Sequence, residues 1–240
     1  MSTPAANTAR KPFTVIGHRG AAGHAPENTL LSIDTAIRLG AHWIEIDIQH
    51  HAGELWLMHD LTLDRTTNGR GLLRAHSAAA LRRLDAGRGE HIPTLPEALD
   101  LIEQRVSVNI ELKSWDGCAA AVAACLREYL ADGWAPERLQ VSSFHLPELW
   151  EFKQLLPEVP LGVLYCGVPL DWAGLTAELG AQSLNISAEF VDARLVADAH
   201  ARGRQLNVYT VNDPAALRLL YELGVDGVFS DFPDRALAAS

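Results

Sequence analysis

Short apolar runs recur along the chain, separated by longer stretches whose apolar residues fall at helical spacing. The runs are Phe13–Gly17, His42–Ile48, Glu54–Met58, Val106–Leu112, Leu139–Ser142, Leu161–Tyr165, Ser183–Ile186, Gln205–Val211 and Asp226–Ser230, nine candidate strands. Between them, Gly40, Gly133, Gly180, Gly203 and Gly224 each follow an apolar-periodic segment, as a left-handed helix cap would. Helix starts are marked as well. Thr94-Leu95-Pro96-Glu97 has capping-box spacing, and Asn212-Asp213-Pro214 supplies a cap followed by proline in the first turn. Alternating strand and helix implies a parallel sheet.

One pair breaks the alternation. Only His50-His51-Ala52-Gly53 separates the second run from the third, whereas a parallel crossover needs about a dozen residues or more. These two runs must form an antiparallel hairpin. Removing its returning arm leaves eight parallel strands, the number that closes a barrel, and 240 residues is a usual size for one. The predicted fold is a TIM (β/α)8 barrel, a single domain over residues 13–240, with the hairpin and a short insertion at about 61–93 rising from the C-terminal mouth after strand 2. A turn centred near His51–Gly53 sets His59 roughly opposite Ile44 to Ile46.

Polar residues interrupt this pattern where strands end. His18, Glu45, Asp47, His59 and Glu111 each stand where an apolar run stops, on four segments of the first half of the chain. In a barrel, polar groups at the C-terminal strand ends usually do chemistry. Glu45 and Asp47 are two apart in a strand-like alternation and so share a face, while Ile44, Ile46 and Ile48 take the other. Unpaired carboxylates inside a fold cost roughly several kcal/mol unless a cation compensates them, so a bound metal accounts for this pair better than a solvated edge strand. Asn109, Glu111 and Lys113 alternate in the same way on the next strand, and Arg19 follows His18.

Three carboxylates without a thiolate favour one hard divalent cation, Mg²⁺ or Ca²⁺, with Mn²⁺ as a third option. Two histidines flanking such a site suit a phosphodiester, one imidazole taking a proton from the nucleophile and the other protonating the leaving alkoxide. Arg19 and Lys113 would neutralise charge on phosphate, although Lys113 is also placed for a simple salt bridge to Glu111. Composition narrows the partners. The net charge of −10 argues against nucleic acid, and no apolar run approaches the roughly 18 residues of a membrane span. Residues Met1 to Pro12 lack an apolar h-region and read as a disordered tail, and Cys118, Cys125 and Cys166 have no metal-ligand spacing. Free thiols and the lack of a secretory signal together lead us to expect a cytoplasmic protein.

The motifs His18-Arg19-Gly20, Pro26-Glu27-Asn28-Thr29-Leu30, Glu45-Ile46-Asp47, His59-Asp60, Asn109-Ile110-Glu111-Leu112-Lys113, Ser142-Ser143-Phe144, Tyr209-Thr210-Val211-Asn212 and Ser230-Asp231 resemble, in order and spacing, the glycerophosphodiester phosphodiesterase family. The resemblance spans nearly the whole chain and is closest to the short cytosolic bacterial form. It implies a TIM barrel that hydrolyses glycerophosphodiesters such as glycerophosphocholine or glycerophosphoethanolamine to sn-glycerol 3-phosphate and an alcohol. It further implies that Glu45, Asp47 and Glu111 hold the metal, that His18 is the base and His59 the acid, and that Arg19 and Lys113 contact phosphate. Tyr209, at the end of the seventh parallel strand, is expected to pack over the substrate. The segment from Leu61 to Pro93 resembles the family's insertion over the mouth. Glu27 and Asn28 open the first helix, where Asn28 reads as a cap or as a partner of a catalytic histidine, Asn212 and Asp213 read as caps, and Asp231 as a brace for the mouth.

The sequence departs from the family at His42, at His50-His51 and at Gly23-His24; these histidines are expected to be solvated rim residues. A lipid phosphodiesterase of the phospholipase C or sphingomyelinase D kind would use a similar two-histidine barrel but should show an exposed apolar rim and an export signal, and neither is visible in the sequence. A catalytically silent, ligand-binding barrel would have lost one of the five site residues, and a metal-dependent sugar isomerase would not begin with His-Arg-Gly. Head group, metal identity, oligomeric state and direct attack by water against a cyclic phosphate are not written in the residues.

Overall fold

A computed structural model describes residues 12–239, so that the expected tail, apart from Pro12, lies outside the described residues. The strands are β1 (Thr14–Gly17), β2 (Trp43–His51), β3 (Glu54–Leu57), β4 (Ser107–Leu112), β5 (Leu139–Ser143), β6 (Leu161–Tyr165), β7 (Ser183–Ser187), β8 (Gln205–Tyr209) and β9 (Gly227–Ser230). They hydrogen-bond in the order β1-β9-β8-β7-β6-β5-β4-β2-β3, and a further pairing of β1 with β2 closes the ring. Eight of these strands run parallel around a TIM barrel, while β3 lies outside it, antiparallel to the end of β2. The helices are α1 (Leu30–Leu39), α2 (Ala78–Leu81), α3 (Leu95–Ile102), α4 (Cys118–Ala131), α5 (Leu146–Leu155), α6 (Leu175–Leu179), α7 (Ala193–Ala201), α8 (Pro214–Leu223) and α9 (Pro233–Leu237). None of them is long and apolar enough to cross a membrane.

The local signals act as their chemistry dictates. Thr94 and Glu97 close a capping box on α3, and Gly40 and Gly224 end α1 and α8 with φ of 89° and 83°. In the hairpin, His51 pairs with Glu54, which leaves Ala52-Gly53 as a two-residue turn with both φ positive, as a type I′ turn requires. Continuing that register, the Met58 N–H donates to Asp47 O at 3.0 Å, and His59 arrives level with Ile46. Strand ends differ from the apolar runs by a few residues: β8 stops at Tyr209, two residues before its run ends, and β2 starts after His42 but continues to His51. His42 is not a rim residue: its Nδ1 accepts a 2.9 Å bond from the Val15 N–H at the barrel's opposite end.

The apolar core sits between strands and helices. Ile44, Ile46, Ile48, Val108 and Ile110 point outward into it, against Ile33 of α1 and Leu95, Leu99 and Ile102 of α3. A second small cluster, including Trp56, Leu63, Leu73, Leu81 and Ile92, organises the segment between β3 and α3. The barrel interior is polar by contrast. Asn109 donates to Ser142, Gln140 to Ser183, and both Ser183 and Asn207 to Asn185 Oδ1. Gly162 makes room for this layer, since a Cβ there would lie 2.7 Å from Asn185 Nδ2 and 2.9 Å from Gln140 Oε1. Gly162→Ala is expected to destabilise the barrel by about 1–3 kcal/mol in urea denaturation, in the range of overpacked interiors; an unchanged midpoint would show that the layer yields freely.

Candidate active site

Strand register assembles the site. Gly17 pairs with Ile44 on one side and Ser230 on the other, so His18 leaves β1 level with Glu45 and Asp231. Glu45 lies beside Asn109, and Asp47 beside Glu111, on the paired β2 and β4. Their side chains share the inward face because strand residues two apart do. His59 comes back to the same level on the far arm of the hairpin.

Glu45 and Asp47 are 2% and 1% exposed, and Glu111 is buried beside them. Each offers a carboxylate oxygen, and these oxygens lie within 4.8 Å of one another. Burial and the neighbouring Asp47 and Glu111 carboxylates push Glu45 well above its ordinary value. Burial and Asp47 push Glu111 up to about 7, against the pull of Lys113. Glu45 Oε1 and Asp47 Oδ1 have no hydrogen-bond partner. Buried carboxylate oxygens without donors, facing one another, fit a hard divalent cation.

The other half of each acid is held firmly. The Arg19 N–H donates to Glu45 Oε2 at 2.8 Å, and Asn28 Nδ2 donates to Asp47 Oδ2 at 2.8 Å. Asn28 Oδ1 in turn accepts from the Asp47 N–H, and the Arg19 guanidinium lies 3.2 Å from Asp47 Oδ2. Arg19 and Asn28 adopt left-handed φ of 51° and 56°, a conformation that costs roughly 1–3 kcal/mol at a non-glycine residue, less for asparagine. A 3.1 Å bond from the Asn28 N–H to Arg19 O locks the two turns together. Lys113 Nζ donates to Glu111 Oε1 at 2.8 Å, the salt bridge its position allowed, and stands 3.8 Å from Asp47 Oδ1.

Both histidines are oriented by acids. His18 Nδ1 is 2.7 Å from Asp231 Oδ1, and His59 Nδ1 is 2.6 Å from Asp60 Oδ1. Each pairing places the proton on Nδ1 and frees Nε2. Burial holds His59 below its ordinary value, with Arg19 and Lys113 adding to the effect and Asp47 and Asp60 opposing it. Burial opposes the charge of Asp231, but bonds from His18 and Asn212 outweigh it and keep its carboxyl below the usual range.

Two acid-held histidines and two cations around a carboxylate triad suit hydrolysis of a phosphodiester. The model of the glycerophosphoryl diester phosphodiesterase family matches residues 18–235. The chain belongs to that family. A glycerophosphodiester phosphodiesterase from Bacillus altitudinis is 35% identical over 235 residues, covering 93% of this chain and 96% of its own. One from Caldanaerobacter subterraneus is 34% identical, covering 92% of this chain and 94% of its own. A phosphodiesterase from Oleispira antarctica, solved in complex with the product sn-glycerol-3-phosphate, is similar with a TM-score of 0.87 at 36% identity, covering 96% of each chain. Glycerophosphodiester phosphodiesterase activity is what this membership supports.

Around the phosphodiesterase mouth, several residues do other work than their sequence context suggests. Asn28 is not a helix cap, a task that falls to Thr29, whose side chain accepts from the Ser32 N–H. Nor does it reach a histidine; it holds Asp47. Asp213 caps α8, whereas Asn212 donates to Asp231 Oδ2 at 2.6 Å. Glu27 accepts from both Arg19 and Arg65, and Arg65 also binds Asp60, which joins the His18 and His59 turns by one ionic chain. Arg65 was not singled out in the sequence, where it is one arginine among several in the insertion. The Tyr209 ring meets Phe144 edge to face, and its hydroxyl donates to Tyr165 O. His24 pairs with Asp234, and His51 binds His76 O, so neither ring is merely solvated.

The raised carboxyls set the pH response of metal-free protein. Folded Glu111 keeps a proton that the unfolded chain releases near 4.5, so its contribution to stability is present below that value and is lost as pH rises through about 7. Denaturation in EDTA should therefore show stability declining between about pH 4.5 and 7, and the decline should shrink in Glu111→Gln. Equal slopes in the two proteins would contradict the repulsion.

Proposed function

We propose that the chain hydrolyses glycerophosphodiesters such as glycerophosphocholine and glycerophosphoethanolamine to sn-glycerol 3-phosphate and the alcohol, in a metal-dependent reaction carried by His18 and His59. The observation that carries the reading is the pairing of two acid-oriented histidines with a buried carboxylate triad in which Glu45 Oε1 and Asp47 Oδ1 lack donors. Glu45, Asp47 and Glu111 would hold one divalent cation, Mg²⁺ or Ca²⁺ with Mn²⁺ as an alternative. When bound, such an ion supplies Lewis-acid charge against phosphate oxygens.

The remaining work belongs to side chains. Arg19 and Lys113 bind the non-bridging phosphate oxygens and offset the charge that grows as the nucleophile approaches. His18 Nε2 accepts the nucleophile's proton while Asp231 stabilises the imidazolium. His59 Nε2 gives a proton to the departing alkoxide. Arg19 and Lys113 help burial to depress His59, and a negative phosphodiester would offset those cations, so substrate itself favours the protonated form that an acid needs. Tyr209 walls the substrate by its ring, since its hydroxyl is engaged with Tyr165.

We further propose that residues 13–240 act as one catalytic domain, a reading supported by the family match at 18–235. A cytoplasmic site of action fits the three free cysteines.

Release of sn-glycerol 3-phosphate from glycerophosphoethanolamine, with Mg²⁺ or Ca²⁺ and with EDTA, tests the function. His18→Ala and His59→Ala should each lower kcat by about 10²–10⁴. Asp231→Asn, which leaves the ring in place but frees its tautomer, should cost about 10–100-fold. Full activity in EDTA, or in either alanine variant, would overturn the mechanism.

A further inference from the structure

The acid that orients His59 stands near water. The side chains of His59 and Asp60 are 33% and 25% exposed, so a single bond between them leaves the carboxylate free to turn toward solvent. Arg65 removes that freedom. Its Nε donates to Asp60 Oδ2 at 2.6 Å and its Nη2 to Asp60 Oδ1 at 3.0 Å, a fork that grips both oxygens. Asp60 Oδ1 is the same atom that lies 2.6 Å from His59 Nδ1. Bonds from Arg65 and then from His59 outweigh burial and hold the Asp60 carboxyl well below the usual range.

The other edge of the guanidinium is held as closely. Arg65 Nη1 donates to Glu27 Oε2 at 2.6 Å and Nη2 to Glu27 Oε1 at 2.8 Å, while Glu27 Oε1 also accepts from Arg19 Nη1. Every nitrogen of Arg65 is thus committed to a carboxylate, so it is not placed as a phosphate ligand and must act through its partners. The turn that carries it is fixed. Leu63 is buried in the small cluster beneath the insertion, and the Thr67 N–H and hydroxyl both donate to Leu63 O. With its side chain 47% exposed, Arg65 has its ion pairs screened by solvent, and they add only modestly to stability.

We propose that Arg65 is a positioning residue for the acid step: its grip on Asp60 fixes the His59 ring by Nδ1 and aims Nε2 at the leaving oxygen, and through Glu27 it ties that ring to the phosphate-binding Arg19. The inference rests on the phosphodiesterase reading given above. As the P–O bond breaks, its electron pair goes to the alkoxide oxygen, which takes the proton from His59 Nε2. The Nδ1 proton stays with Asp60. Without the fork, Asp60 turns toward water and the ring loses both its tautomer and its aim. The loss falls on leaving groups that need a proton.

The test compares turnover of glycerophosphoethanolamine with that of the p-nitrophenyl ester of glycerol 3-phosphate, whose phenolate departs without a proton, each with Mg²⁺. Arg65→Gln should lower kcat on the first by about 10–100-fold, with KM little changed, and cost far less on the second. Because Arg65 acts through Asp60, adding Arg65→Gln to Asp60→Asn should cost little beyond Asp60→Asn alone. Equal losses on the two esters, or losses that multiply in the double variant, would overturn the proposal. His59→Ala separates it from the catalytic reading. If that variant loses both esters equally, the acid role of His59 falls and this proposal with it; if His59→Ala discriminates and Arg65→Gln does not, the role of Arg65 alone falls. Histidine ¹⁵N resonances of the metal-free protein near pH 8 report independently of turnover. His59 should carry its proton on Nδ1 in the wild type and become a mixture of tautomers in Arg65→Gln, and an unchanged His59 signal would also overturn the proposal.

Discussion

Mutual repulsion among three buried carboxylates is the constraint around which this barrel is arranged. Glu45, Asp47 and Glu111 sit where neighbouring parallel strands bring them within reach of one another and away from water. Left alone, such a cluster would protonate or unfold. The chain answers with fixed donors on one side of each acid: the Arg19 N–H for Glu45, Asn28 and the Arg19 guanidinium for Asp47, and Lys113 for Glu111. Oxygens on the facing side of Glu45 and Asp47 are left without donors. The left-handed turns at Arg19 and Asn28 exist to deliver those donors, and the bond between the two turns keeps them there.

The same elements that neutralise the acids also connect the acid–base groups. Arg19 reaches Glu27, Glu27 reaches Arg65, and Arg65 reaches Asp60, which holds His59. On the opposite side, Asn212 and Asp231 hold His18 from the last two strands. Closure of the barrel by β1 against β2 and β9 is therefore a functional feature, because it brings a residue near position 18 to a partner near position 231.

Much of this was legible in the sequence. The eight-strand count, the hairpin and the sharing of one face by Glu45 and Asp47 follow from period-two alternation and loop length, which are local properties. The partners that orient the site are less legible because they are distant in sequence or disguised by a commoner local role. Asn28 precedes a helix and so looks like its cap, yet Thr29 takes that place and frees Asn28 for Asp47. Asn212 is masked in the same way by Asp213. Arg65 bridges two acids that no periodicity relates, and its role emerges only when the insertion folds over the mouth. An apolar rim was not visible in the sequence, yet Leu61, Trp115, Phe144 and Leu170 stand exposed on connections that follow β3, β4, β5 and β6. Exposure is a property of the assembled surface, and a loop leucine reads no differently from a core one.

Electron paramagnetic resonance of Mn²⁺ titrated into the purified full chain near pH 8 tests the central claim most directly, because it counts ions independently of turnover. The account predicts one saturable Mn²⁺ per chain, lost in Asp47→Asn and kept in His18→Ala. Absence of saturable binding, or binding that survives Asp47→Asn, would contradict the assignment of the carboxylate triad as the metal site.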